Sequence, residues 1–288
     1  MKEKIKHYLA YLVFWGYRNG ILKNTIKVKT IEETIDRLLV SNDSLVRFGD
    51  GEIKLISGKD LNFQKADDVL SGRLQNILQT KQVGLLVALP EIFEDVSAYV
   101  EKTQNFWMEH LLFHRKEYER YCRTDRIYES AFFSRPYIMY QDRRRCPELF
   151  AKIRKLWEKK NVVIVEGASS HNGVDSDLFD NVSSLKRIIC PASQAWQSYE
   201  KILEACSAQP RDALILIALG PAGKVLAQDL FENGYRVLDI GNLDMEYCWY
   251  CMNAEKKTEL KKHTLLTRQD NEKAGYYDYL SQIITIID

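Results

Sequence analysis

What this chain is short of narrows it first. It holds 6 cysteines in 288 residues, too few for a disulfide scaffold. It has no surplus of one charge: 41 Lys and Arg face 40 Asp and Glu, a net of +1. A general nucleic-acid binder would carry a basic excess, so nucleic acid is not an expected partner. No apolar run approaches the roughly 20 residues that span a bilayer. No G-x-G-x-x-G, Gly-Lys-Ser/Thr or G-x-S-x-G element occurs. A dinucleotide fold, a P-loop NTPase and a classical α/β-hydrolase therefore lack support. Internal repeats, low-complexity tracts and Pro/Gly linkers are also missing. What is present is 45% apolar and 28% charged residues, a globular balance in a chain long enough to bury a core unaided.

The charge is spread unevenly. Residues 1–29 hold Lys2, Lys4, Lys6, Arg18, Lys23, Lys27 and Lys29 against Glu3 alone, so this segment is +6 and the remainder −5. Inside it runs Tyr8-Leu9-Ala10-Tyr11-Leu12-Val13-Phe14-Trp15-Gly16-Tyr17. No small-residue cleavage site follows, which argues against a signal peptide. Two readings stand: a helix packed on the body or on a second copy in a homodimer, or an interfacial helix resting on an anionic membrane. The expected location is cytoplasmic, with peripheral contact at the inner face of the cell membrane under the second reading. The expected division is a basic aromatic extension, 1–29, and a single domain, 30–288.

Periodicity supplies the elements. Thr30-Ile31-Glu32-Glu33 is a capping box that opens a helix to about Val40. Ser44–Phe48 reads as a strand, Gly49-Asp50-Gly51-Glu52 as a tight turn, and Ile53–Ile56 as the start of a helix. Residues 66–81 read as a helix with Val69, Leu70, Leu74, Ile77 and Leu78 inward. Val83–Leu89 reads as a buried strand closed by Pro90, and 91–121 as helical. Residues 122–147 have little period. From 148 strands and helices alternate: helix Glu148–Lys160, strand Val162–Glu166, loop Gly167–Ser176, strand Leu185–Cys190, helix Ser193–Cys206, strand Ala213–Leu219, helix Lys224–Asn233 and strand Tyr235–Ile240. That alternation predicts an α/β fold with a Rossmann-like, mostly parallel sheet flanked by helices. Ligands of such sheets sit beyond the carboxyl ends of the strands, so the loops 47–52, 166–177, 219–223 and 239–247 should hold the chemistry.

Three of these loops carry suitable side chains. In Arg47-Phe48-Gly49-Asp50-Gly51-Glu52 two carboxylates stand close enough to repel unless a cation or proton lies between them, and an Arg suits phosphate. Asp244 and Glu246, at i and i+2, face one way if the segment is extended, which suits oxygen ligation of Mg²⁺ or Mn²⁺. Gly220-Pro221-Ala222-Gly223 leads into a helix N-terminus, where a phosphate can bind, although tight strand-to-helix packing explains it as well. A solvated turn is the plain alternative for each acidic pair. Cys248-Trp249-Tyr250-Cys251 is a lone CxxC that His263 does not complete as a zinc set; two half-buried thiols are the better expectation. His171 is a single His in a polar loop and carries little weight by itself.

Taken in order, several segments resemble the bacterial GT-D fold glycosyltransferases, formerly a domain of unknown function. They are Val46–Glu52, Ser134-Arg135-Pro136-Tyr137, Val163–Gly167, Gly173-Val174 with Asp177-Leu178-Phe179, Lys186–Ile189, Ile217–Pro221, and Asp239-Ile240-Gly241 through Asp244-x-Glu246-Tyr247. The resemblance implies a UDP-sugar donor such as UDP-glucose and a divalent cation, Mn²⁺ or Mg²⁺, bound through an Asp-x-Glu motif. It further implies a lipid- or protein-linked glycan acceptor, in surface polysaccharide or glycoprotein synthesis. On it, Arg47, Gly49, Gly51, Arg135, Glu166, Gly167, Gly220 and Pro221 are expected at the nucleotide. Asp50, Glu52 and Glu246 are expected in catalysis. The metal falls to Asp244 and Glu246, or alternatively to Asp50 and Glu52. The chain departs from the family pattern at Asn242, where a His is common, and at Cys248, where an acid is. At least one of Arg47 and Arg135 should contact the diphosphate. The competing readings are an S-adenosylmethionine methyltransferase, because Glu166 at a strand end can meet a ribose, and a non-catalytic sugar-nucleotide-binding subunit.

Overall fold

The computed structural model describes residues 2–260, 262 and 276–288, with side chains from residue 5 and, at the far end, from residue 278. The chain opens with α1 (Lys2–Arg18), β1 (Lys27–Val28), α2 (Ile31–Val40), β2 (Ser44–Arg47), α3 (Asp50–Ile56), α4 (Asp68–Gln79) and β3 (Leu85–Leu89). It continues through α5 (Glu101–Tyr121), β4 (Ile127–Ser130), the 3₁₀ turn Ala131–Ser134, α6 (Cys146–Lys155), β5 (Asn161–Gly167) and β6 (Ser184–Cys190). It closes with the 3₁₀ turn Ala195–Ser198, α7 (Tyr199–Ser207), β7 (Leu214–Ala218), α8 (Ala222–Glu232), β8 (Arg236–Asp239), α9 (Leu243–Cys251), α10 (Tyr276–Gln282) and β9 (Ile283–Ile286).

These strands form one nine-stranded sheet in the order β1-β4-β3-β2-β8-β7-β5-β6-β9. Every neighbouring pair is parallel. The expected α/β architecture is therefore the one observed. Helices cover both faces, so the inner strands are buried throughout and read as continuous apolar runs. Leu85–Leu89 is wholly buried, as are Leu214–Ile217. The strand order doubles back between β2 and β8, which leaves a crevice at their carboxyl ends.

Local chemistry explains where elements start. The Thr30 hydroxyl accepts from the Glu33 N–H at 3.2 Å, and the Glu33 carboxylate accepts from the Thr30 N–H at 2.8 Å. This is the reciprocal capping box read in the sequence. Asp67 caps α4 by accepting from the Leu70 N–H at 2.8 Å.

Some expectations need correction. Val69 and Val83 are exposed, not inward; Val69 lies in the first turn of α4, and Val83 lies in the turn before β3, outside the strand. The helix expected over 91–121 begins at Glu101. Before it, the Asp95 carboxylate accepts from the Ser97 N–H at 2.9 Å and the Ser97 hydroxyl at 2.7 Å, a local turn that competes with helix. Residues 122–147 contain a strand that periodicity missed, because β4 has only four residues. The helix expected from Ser193 begins as the 3₁₀ turn Ala195–Ser198 and turns α-helical at Tyr199.

Residues 2–29 lean on the body. Strand β1 pairs with β4 at the sheet edge. Lys29 and Arg37 both donate to one oxygen of buried Glu129, each at 2.9 Å. Helix α1 lies along α5: Ala10 and Phe14 are buried, Lys6 pairs with Glu109 at 2.6 Å, and the Arg115 guanidinium sits 3.5 Å above the Tyr17 ring.

Candidate active site

A cleft of about 570 Å³ opens beyond the carboxyl ends of the central strands. Its walls come from the loop after β2 (Arg47 and Gly49–Glu52), the loop after β4 (Arg135), and the loop after β5 (Ser170, Asn172). Gly220 and Lys224 follow β7, and Gly241, Asn242 and Met245 follow β8. All four loops singled out in the sequence thus meet at one place.

The floor is a chain of alternating charges. Arg47 at the end of β2 donates its Nε to the Asp239 carbonyl at 2.8 Å and pairs with the Asp239 carboxylate at 3.3 Å. Its Nη1 donates to the Ser134 hydroxyl at 2.6 Å and to the Ala131 carbonyl at 3.2 Å. On the other side, Lys224 Nζ lies 2.9 Å from Asp239 and 3.5 Å from Glu52. Burial pushes the Asp239 carboxyl up, but Arg47 and Lys224 outweigh it and hold its pKa below the usual value. Buried opposite charges hydrogen-bonded in this way fix geometry more than they add stability. Gly241 completes the joint: at φ +46°, a Cβ there would collide with the Arg47 guanidinium. Arg47 therefore ties β2, β4 and β8 together and has few donors left for a ligand.

Gly49-Asp50-Gly51-Glu52 is not a free turn. Gly49 is the N-cap of α3, and the Glu52 carboxylate reaches back to accept from the Gly49 N–H at 2.7 Å. The sequence carried that signal, an acid at the third helical position with acids in the first turn. Asp50 stands at the rim, about one third exposed, and pairs with Lys54 at 2.7 Å. Burial raises its pKa, but the Lys54 hydrogen bond and charge prevail, and it is held anionic below its usual value.

Arg135 is the guanidinium that the fold leaves uncommitted. It follows the 3₁₀ turn after β4, and its side chain makes no hydrogen bond or ion pair with any described residue. Burial lowers its pKa, while the fields of Glu246, Asp50 and Glu52 oppose that shift. It stands between the main cleft and an adjoining cavity of about 310 Å³ lined by Glu246, Trp249, Lys257 and Thr258. Asn242 and Met245 also belong to both spaces. One Glu246 oxygen accepts from the Tyr137 and Ile138 N–H groups at 3.1 and 2.9 Å. Burial raises the Glu246 pKa against these bonds and the Arg135 charge.

Other expected site residues lie elsewhere. Asp244 and Glu246 are not in an extended segment; they sit in the first turn of α9, where i and i+2 point to different sides. Asp244 is fully buried, with its two oxygens 3.0 and 2.9 Å from Lys262 Nζ and one accepting from the Gly173 N–H at 2.7 Å. The structure does not bring this pair together, whereas Asp50 and Glu52 share one cleft. Glu166 does not face the cleft either. It is fully buried against Arg187 at 2.6 Å and accepts from the Asn172 backbone and side-chain amides, both at 2.7 Å. Its work is to hold the loop that presents Asn172, so the ribose contact behind the methyltransferase reading has no free carboxylate. Gly167 packs against Pro191 and Ala192, and Pro221 is the N-cap of α8; neither lines the cleft. Gly223 needs its lack of a side chain, since a Cβ would lie 2.7 Å from Ile217.

His171 is buried, with Nδ1 2.6 Å from the Lys262 carbonyl. Cys248 is buried and Cys251 exposed, both as free thiols; His263 lies outside the described residues. Removing Glu166 would strand Arg187 in the core, a defect that costs about 3 kcal/mol or more. Glu166→Ala is therefore expected to lower stability by that amount in urea unfolding. A loss below about 1 kcal/mol would show that the pair is dispensable.

Sequence reasoning missed Lys224, Trp107 and the segment Leu61-Asn62-Phe63, all of which line the cleft. Lys224 had a usable signal, a Lys in the first turn after the Gly220–Gly223 loop, where the helix end does not favour a cation. Trp107 is buried in a helix of mixed period, and Asn62 and Phe63 lie in a loop, so neither had one.

The structure is thus a parallel α/β sheet whose crevice gathers Asp50, Glu52 and Arg135. Residues 45–267 match the family described as "Glycosyltransferase GT-D fold", and the chain belongs to that family. It is 42% identical over 263 residues to "Probable glycosyl transferase Gly" of Streptococcus gordonii, covering 90% of this chain and 38% of that protein. It is 39% identical over 266 residues to "Glycosyltransferase GlyD" of Streptococcus pneumoniae serotype 4, covering 91% of this chain and 33% of that one. The chain thus spans between a third and two fifths of these relatives. Among solved structures, "A New Glycosyltransferase (DUF1792) from Streptococcus sanguinis" superposes with a TM-score of 0.84 at 39% identity, covering 91% of this chain and all of that one. The structure described as "The highly conserved domain of unknown function 1792 has a distinct glycosyltransferase fold" gives 0.85 at 39% identity, covering 91% and 96%.

Proposed function

We propose that this chain is a glycosyltransferase that moves a hexose from a UDP-sugar to a lipid- or protein-linked glycan acceptor, with a divalent cation as cofactor. The observation that carries the reading is Arg135, a half-buried guanidinium without a hydrogen-bond or ion-pair partner among the described residues, facing the cleft that also holds Asp50 and Glu52. Planar guanidinium geometry matches phosphate oxygens. Among the described residues no three His, Cys, Asp or Glu side chains form a metal cage. Asp50 and Glu52 also lie at i and i+2 of a helix and do not converge as a cage, but both line the cleft, which fits a different pattern, one or two carboxylates whose cation is completed by substrate phosphates and water. A cation held there supplies charge neutralisation for the leaving diphosphate.

The protein's own groups divide the remaining work. Arg135 binds and orients the diphosphate, where charge grows as the glycosidic bond breaks. The Arg47–Asp239–Lys224–Glu52 chain keeps the cleft wall in place. Glu246, with one oxygen fixed by two backbone amides, receives the acceptor hydroxyl proton in the adjoining cavity. Because burial raises its pKa, the acidic limb of kcat should lie above the ordinary carboxylate range. Activity rises with pH as Glu246 loses its proton. Glu246→Gln should flatten that limb and lower kcat, read from a pH–rate profile; an unchanged limb would remove Glu246 from this role. The reaction itself is tested with a panel of UDP-sugars and Mn²⁺, read by mass spectrometry for hydrolysis and transfer. Turnover of one UDP-hexose is expected, and no turnover of any would contradict the reading.

A further inference from the structure

Helix α1 is apolar on both sides, and the fold covers only one. From Tyr8 to Tyr17 it carries no charged residue. Ala10 and Phe14 face α5 and are buried, whereas Ile5, Tyr8, Leu9, Tyr11, Leu12 and Trp15 are between 42% and 62% exposed. At 100° per residue these six fall on one continuous face opposite Ala10 and Phe14. Helices that are apolar all round are normally covered all round. Phe113 of α5 extends the patch, 57% exposed beside Lys6, whose ammonium lies 5.4 Å from the ring centroid. A contiguous apolar patch of this kind marks an interaction surface.

We infer that this face rests on an anionic lipid surface. No described helix is long and apolar enough to cross a membrane, so α1 would lie in the interface rather than span it. Tyr8, Tyr11 and Trp15 are amphipathic rings suited to the headgroup level. The charges sit at the two ends: Arg18, Lys23 and Lys27 are exposed near one, and the sequence places Lys2, Lys4 and Lys6 at the other. Cations flanking an apolar face complement anionic headgroups. A second copy docking through the same face would set basic ends against basic ends in a two-fold pair, which repel. Helix α5, on which α1 packs, also reaches the cleft. Helix α5 carries exposed Phe106, whose ring centroid is 4.9 Å from that of Trp107, and Trp107 lines the cleft. The lipid contact stands independently of the donor reading. Its consequence, that the acceptor is lipid-linked and presented along α5, rests on the transferase reading above.

The test uses the full chain with vesicles of phosphatidylcholine alone and of phosphatidylcholine mixed with phosphatidylglycerol. Co-sedimentation with the anionic vesicles is expected, falling about tenfold when salt rises from about 0.1 to 0.5 M. Leu12→Glu and Trp15→Glu should each cut it by about tenfold or more. Both positions are outside the cleft, so melting temperature and UDP affinity should match wild type. Failure of wild type to sediment at low salt, or undiminished binding by both variants, would overturn the inference. So would a wild-type dimer in sedimentation velocity that Leu12→Glu dissociates without any vesicle binding, which would assign the face to a second copy. UDP affinity in the same samples reports separately on the donor reading.

Discussion

Arg135→Ala is expected to weaken UDP binding by about 100-fold or more while the protein stays folded. The two guanidiniums differ in how far the fold has engaged them. Arg47 and Arg135 both line the cleft, but Arg47 has its donors on Asp239, Ser134 and Ala131. Arg135 has none engaged with a described residue, and burial already disfavours its charge. A half-buried charge without such a partner gains most when an anion arrives. Arg135→Lys should recover only part of the affinity, since an ammonium cannot reproduce the two-point contact. Arg47→Lys should instead lower the melting temperature, because it breaks the joint between β2, β4 and β8. Titration calorimetry with UDP, beside thermal unfolding, separates the two. Unchanged UDP affinity in Arg135→Ala would remove the diphosphate from this site.

Glu52→Gln should reduce turnover by about 100-fold with the fold intact. Glu52 serves both helix and site. One oxygen accepts from the Gly49 N–H, and a Gln at the third helical position keeps that bond. What Gln lacks is the negative charge facing Lys224 and the cleft. A large loss of rate without a loss of melting temperature would therefore report on charge, not folding. Asp50→Asn should behave alike, with Lys54 released from its pair. Near-normal rates in both variants would take the cation away from this pair.

The sheet was legible because parallel strands buried on both faces leave apolar runs, and 162–240 alternates them with helices cleanly. The four βα loops were legible for the same reason. What failed has a physical cause in each case. Four-residue β4 is too short to show a period. Asp244-x-Glu246 and Gly49–Glu52 were read as extended and as a turn, yet both open helices; a side-chain spacing of two means convergence only in a strand. Glu166 has the right residue type at the right strand end, but its partner, Arg187, comes from the neighbouring strand β6, and cross-strand pairing is invisible along the chain. The difference between Arg47 and Arg135, on which the proposed donor site turns, depends on neighbours 84 to 192 positions away.

Under the proposed function, the Arg135 cleft holds a nucleoside diphosphate together with a divalent cation. Thermal unfolding of the full chain with UDP, Mn²⁺, both, or S-adenosylhomocysteine distinguishes this from the alternatives. Ligand at about 100 times its dissociation constant adds about 2.7 kcal/mol of stability. UDP and Mn²⁺ together should raise the melting temperature more than either alone, and the Arg135→Ala variant should lose that rise. A rise with S-adenosylhomocysteine, or none with UDP and Mn²⁺, would contradict it.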